Sequence, residues 1–143
     1  MNVAAILRSK GNSVATARPD WTVAQACERL TDLGIGALVV STGDRTVDGI
    51  VSERDVIRRL ARDGAGVLDQ LVSDIMVDKV VVCSVEDNIA HLMDTMTDGR
   101  FRHLPVVEDG ALVGLVSIGD VVKHRIQETE HEAEALKAYI AAG

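Results

Sequence analysis

The sequence predicts an α+β fold written twice: two strand–helix–strand–strand–helix units packed sheet to sheet about a pseudo-twofold axis. Three observations carry that prediction. The stretch at residues 49–57, G-I-V-S-E-R-D-V-I, returns at 114–122 as G-L-V-S-I-G-D-V-V, with Gly49/Gly114, Val51/Val116, Ser52/Ser117, Asp55/Asp120 and Val56/Val121 in register 65 residues apart. Each copy follows a second apolar run, at 34–40 and 100–106, across a short polar turn, the pattern of an antiparallel hairpin. Finally, 143 residues that are 47% hydrophobic fill one compact core or two small fused ones, but neither unit alone has the apolar surface to stand in water.

Residues 2–9 place Val3, Ile6 and Leu7 at helical spacing before Gly11, a stop signal; Val72, Ile75 and Met76 stand in the same place before the second copy. A brief extended piece, 14–17, is matched by 80–83. Pro19 and Asp20 then open a helix whose apolar positions Val23, Ala26, Cys27, Leu30 and Leu33 recur in the second copy as Ile89, Leu92, Met93 and Met96. Residues 34–40, G-I-G-A-L-V-V, read as a strand buried on both faces, and R-F-R-H-L-P-V at 100–106 is its counterpart. The polar turns fall at 41–48 and 107–113, the second one residue shorter, so the offset drops from 66 to 65. Residues 62–74 join the copies, giving a first repeat with its N-terminal helix at 1–68, a second at 69–126 and a helical extension at 127–143. In that extension Ile126, Ala133 and Ile140 recur every seven residues with Leu136 between them. A stripe this narrow pairs with a second chain or folds back on its own domain, and both readings stand.

At the repeated motif a strand ends on Ser52 or Ser117 and a helix starts at once, with an acidic residue three places later. That is the capping box: the hydroxyl accepts from a first-turn N–H and the carboxylate accepts from the cap's own N–H. The same helix end favours an anion, and a carboxylate on its first turn is suited to a sugar's hydroxyl pair. Two copies in register favour the ligand reading over the cap alone.

Composition narrows the function. A net charge of -7 argues against nucleic acid as the main partner, and aromatics at 2% leave no stacking platform for single strands. No apolar run approaches the ~20 residues of a membrane span and no signal peptide is evident, so the chain is expected in the cytoplasm; a mitochondrial form without its transit segment would read the same. Cys27 and Cys83 have no metal or redox spacing, and Cys27, matched by Met93, reads as a small core residue. Catalysis has little support. Gly34 and Gly36 begin a dinucleotide fingerprint, but Val39 takes the third glycine's place. His131-Glu132 lacks a second zinc-binding His, His91 matches Gln25 as a solvent position, and no Ser or Cys has a base at motif spacing. No catalytic or metal-binding residue is assigned.

The doubled unit, with G-I-G-A-L-V-V, R-H-L-P-V-V and two G-hydrophobic-V-S-x-x-D motifs, resembles a tandem pair of cystathionine-β-synthase (CBS) domains, the Bateman module, over roughly residues 3–126. It is similar to small stand-alone CBS pairs of bacteria and plant organelles. The resemblance implies a non-enzymatic sensor requiring no cofactor, which binds an adenosine nucleotide such as AMP, ADP, ATP, S-adenosylmethionine or NAD(H) between the repeats, forms a homodimer and signals to a regulated protein not yet identified. It assigns ribose hydroxyls to Asp55 and Asp120, sugar or phosphate to Ser52 and Ser117, and phosphate to Arg102 and His103, whose first-copy counterparts are Gly36 and Ala37. Thr16 matches a position that contributes a hydroxyl, where the second copy has Val82, while Ile35, Ala37 and Leu38 line an adenine slot or belong to the core. Gly119 lets a ligand approach the backbone; its counterpart Arg54 offers a cation to phosphate or lies solvated. The two sites are therefore expected to be unequal. The alternative is an interaction module with an empty cleft.

Overall fold

The computed structural model describes residues 1–11 and 13–143. The first repeat forms a three-stranded sheet, β1 (Thr16–Ala17), β2 (Ala37–Val40) and β3 (Gly49–Ser52), with β1 parallel and β3 antiparallel to β2. All four β2 side chains are buried, which is why that strand reads as unbroken apolar sequence. Helices α2 (Val23–Leu33) and α3 (Glu53–Asp63) pack on this sheet. The second repeat repeats the plan with α5 (Ile89–Gly99), the hairpin β4 (His103–Glu108) and β5 (Ala111–Ser117), and α6 (Ile118–Ala142).

Its first strand is reduced to one parallel bridge, Cys83 with Val106. The hydrogen bonding is nonetheless conserved between the copies: Val107 N donates to Cys83 O at 2.9 Å where Ser41 N donates to Ala17 O at 2.9 Å. Likewise Glu53 N donates to Gly36 O at 3.0 Å and Ile118 N to Arg102 O at 2.8 Å, tying each motif helix to the strand beside it.

Three expectations are corrected, and one of the two readings left open for the C-terminal extension is excluded. Helix α2 begins at Val23 and not at Pro19-Asp20: Thr22 Oγ1 accepts from Gln25 N at 3.2 Å while Gln25 Oε1 accepts from Thr22 N at 2.9 Å, a capping box that outcompetes the proline as a start. Leu33, assigned to the apolar face, is 49% exposed at the helix end. The second hairpin has no turn spanning 107–113: β4 and β5 pair through Glu108 and Ala111, leaving Asp109 and Gly110 at φ +52° and +78° as a two-residue turn. Asp-Gly suits those dihedrals, and a bulge between Val106 and Val107 restores the register. Helix α6 does not fold back, since every residue from Thr129 to its end is exposed.

The cores do not follow chain order. Helix α1 (Val3–Lys10) precedes the first repeat, yet Val3, Ile6 and Leu7 lie in one apolar cluster with Ile89, Leu92, Met96, Leu104, Val116 and Val121 of the second. Reciprocally, Val72 and Ile75 of α4 (Val72–Ile75) lie in the first repeat's cluster with Val23, Leu30, Val51 and Val56. Each half thus lends its leading helix to the other, and the segments bounded by 1–68 and 69–126 are interlocked. Backbone bonds secure the exchange, among them Val72 N to Trp21 O at 2.7 Å and Ala4 N to Val85 O at 2.9 Å.

Candidate ligand clefts between the repeats

Two clefts between the repeats have linings that correspond in register: Ile50, Ser52, Phe101 and Arg102 in the first stand where the second has Leu115, Ser117, Ile35 and Gly36. Both clefts are cross-assembled. The first, about 760 Å³, combines Ser52, Arg54, Asp55 and Arg58 of the first repeat with Arg100, Phe101, Arg102 and His103 of the second. The second, about 490 Å³, sets Leu115 and Ser117 against Ile35, Gly36 and Ala37, with Lys10 and Arg29 at its margin. Arg102 therefore serves the motif of the other copy. His103 and Ala37, which share one register position, line both clefts.

Asp55 is both a cap and a wall of the first cleft. Its Oδ2 accepts from Ser52 N and from Ser52 Oγ, both at 2.9 Å, and Ser52 Oγ accepts from Asp55 N at 3.3 Å. Among the described residues Oδ1 makes no hydrogen bond, which leaves an acceptor on a fixed side chain. Asp120 is held differently: its Oδ2 accepts from Ser117 N at 2.9 Å and from Lys10 Nζ at 2.6 Å. Burial pushes the Asp120 carboxyl up, but the Lys10 and Ser117 hydrogen bonds and the Lys10 charge outweigh it, and the group ends below the ordinary carboxylate range.

The first cleft carries four guanidinium groups, those of Arg54, Arg58, Arg100 and Arg102. Arg58 and Arg100 were not assigned from the sequence. Arg58 was findable, because it lies one turn after Arg54 on α3. Arg100 caps α5 in the left-handed region at φ +56°, where the first repeat has Gly34 at φ +63°. A non-glycine residue there costs about 1 kcal/mol, so an arginine stands where glycine would be more stable. Gly99 lies under the Phe101 ring, which a Cβ would strike, and this close packing turns the chain from α5 into the cleft wall.

Burial, and then the Lys10 charge, hold the His103 imidazole below the usual histidine pKa; Asp120 and Glu53 pull the other way, and Arg102 adds a smaller push down. His103 lines the first cleft beside Arg102. Thr16 donates its hydroxyl to Asp44 at 2.9 Å and lines neither cleft. Gly119 faces an apolar surface with Ile118, Val122 and Ile126 and lines neither cleft. Leu38 is fully buried core, whereas Ile35 and Ala37 do line the second cleft. Among the described residues no group of three or more His, Cys, Asp or Glu could hold a metal ion, and no helix is long and apolar enough to cross a membrane.

Comparison with known proteins agrees with this architecture. The CBS domain family model matches residues 4–62 and 72–126. A CBS domain-containing protein from Arabidopsis thaliana, CBSX3, described as mitochondrial, is 36% identical over 96% of this chain and 71% of its own length. The crystal structure of a CBS-domain containing protein from Agrobacterium tumefaciens superposes with a TM-score of 0.84 at 45% identity, covering 87% of this chain and 99% of that one. The CBS domain pair of protein MJ0100, solved with 5′-methylthioadenosine and S-adenosyl-L-methionine, shares the fold at a TM-score of 0.78 and 21% identity, over 90% of this chain and 98% of that one. With both halves matched and the two interlocked repeats in place, this chain belongs to the CBS domain family as a tandem pair.

Proposed function

We propose that this CBS pair is a non-catalytic sensor of adenosine nucleotides that binds its ligand in the first cleft and reports occupancy to a partner protein. The observation that carries the reading is the juxtaposition in one cleft of Asp55, with an unengaged carboxylate oxygen, and four arginines. The carboxylate is suited to a ribose diol. Guanidinium groups supply bidentate, permanently charged partners for phosphate. The apolar surfaces of Ile50, Val77, Phe101 and Ile118 supply a wall for a base. The adenosine ligands of the MJ0100 domain pair support the choice of base by analogy of fold.

Calorimetry on the full chain tests this. Affinity is expected to rise from adenosine to AMP to ATP, with the ATP advantage shrinking as salt is added. Arg100→Gly should weaken ATP but not adenosine, while the thermal midpoint holds or rises because glycine takes the left-handed cap without penalty. If none of these compounds binds, the protein is an interaction module whose acidic residues are helix caps.

The sensor is proposed to act as a homodimer through α6. The last turns of this helix stand clear of the domain and expose Leu136, Tyr139 and Ile140. An isolated helical segment of this length is marginal in water, and the stripe of Ile126, Ala133, Leu136 and Ile140 has the spacing of a seam between two such helices. Sedimentation should show a dimer that Leu136→Asp dissociates; a monomeric parent protein overturns the assignment.

A further inference from the structure

The two clefts share a plan, but the motif carboxylates stand differently to them: Asp55 lines the first, whereas Asp120 is paired with Lys10 and does not line the second. Lys10, in the last turn of α1, donates from Nζ to Asp120 Oδ2 at 2.6 Å and to Leu115 O at 2.9 Å, spanning from the motif helix to β5 across the margin of the second cleft. On the alignment that pairs Ile6 and Leu7 with Ile75 and Met76, the counterpart of Lys10 is Lys79, which is exposed and does not line the first cleft. Met76 lies against Gly49 as Leu7 lies against Gly114, and it offers no cation to Asp55. Asp55 is therefore engaged only by its own cap, whereas Asp120 already holds an ammonium group.

We infer that Lys10 is the specificity-determining residue that makes the clefts unequal: it holds Asp120 through Oδ2 as an internal partner and keeps that carboxylate out of the second cleft's lining, so that a sugar diol entering the cleft reaches it only when the pair opens. The inference rests on the nucleotide reading above. It gives the chain one tight site, and it makes α1, which spans the exchange between the repeats, the element that moves if the second site fills.

The test is calorimetric stoichiometry with AMP on the full chain, on Lys10→Met, on Asp55→Asn and on the double variant. Lys10 and Asp120 are both part-exposed, so Lys10→Met is expected to stay folded, with a melting curve as the check. The parent chain should bind one AMP, Lys10→Met two, Asp55→Asn none at the same concentrations, and the double variant one, now in the second cleft. A merely structural ion pair would change the melting curve but not the molar ratio. If the parent binds and Lys10→Met leaves the ratio at one, or if the parent already takes two and the variant loses one, the inference falls and the nucleotide reading survives. If no form binds, both fall together.

Discussion

Replacing Ile6 with alanine is expected to cost about 2–5 kcal/mol of stability and to loosen the half of the molecule that lies furthest from it in sequence. Ile6 is fully buried, and its neighbours in the core belong to α5, β4, β5 and α6. Truncation would leave a cavity among Ile89, Met96, Leu104 and Val116, whose side chains converge from several elements and so cannot all move to fill it. Against the 5–15 kcal/mol that holds a typical domain together, such a loss is large. Chemical denaturation gives the magnitude and hydrogen exchange gives the place: amides of β4 and β5 should lose protection before those of β2 and β3. Protection lost first in the first repeat would show that α1 belongs to the core it precedes in sequence. The reciprocal substitution, Ile75→Ala, should loosen β2 and β3 by the same logic, because α4 lies in the first repeat's cluster.

The exchange of leading helices marks the limit of what the chain reveals before it folds. Hydrophobic spacing identifies the face of α1 that must be covered, since Val3, Ile6 and Leu7 recur at helical intervals. It does not say which sheet covers that face. The repeat, the two hairpins and both Ser–Asp capping boxes were legible, because each is a local pattern with a local cause. The second hairpin's turn was placed too wide because 107–113 reads as one polar turn, although Asp109-Gly110 marks the two-residue turn; only the bulge between Val106 and Val107 has no residue pattern that announces it. Asp55 and Arg102 were both singled out from the sequence as candidates, but not their meeting in one cleft, which needs the relative placement of the repeats. Arg100 could have been found by aligning it with Gly34: where one copy has the expected left-handed glycine and the other an arginine, a local rule is broken, and such breaks concentrate at functional sites. Lys10 lies outside the repeated motif, and nothing in its sequence neighbourhood points to Asp120.

Asp55→Asn is expected to separate the two roles of this residue and so to decide between a sensor and a structural module. An asparagine at the same place retains a side-chain oxygen to accept from Ser52 N, so the cap on α3 is largely preserved and stability should fall by less than the ~1 kcal/mol of losing such a cap outright. Ligand binding responds differently. A hydroxyl donating to a carboxylate forms a charge-assisted bond worth about 1.5–3 kcal/mol, so losing it should weaken adenosine roughly 10- to 100-fold. The substitution also removes the one negative charge that faces Arg54, Arg58, Arg100 and Arg102 across the first cleft's lining. Pyrophosphate, which has no sugar, should therefore bind as well as before or better. Those opposed shifts are the signature of a diol acceptor embedded in a cationic site. A general loosening of the cleft would weaken both ligands together, and a residue that only caps its helix would leave both unchanged. Measuring adenosine and pyrophosphate side by side on the parent chain and the variant therefore assigns Asp55 its role without reference to which nucleotide the protein meets in the cell.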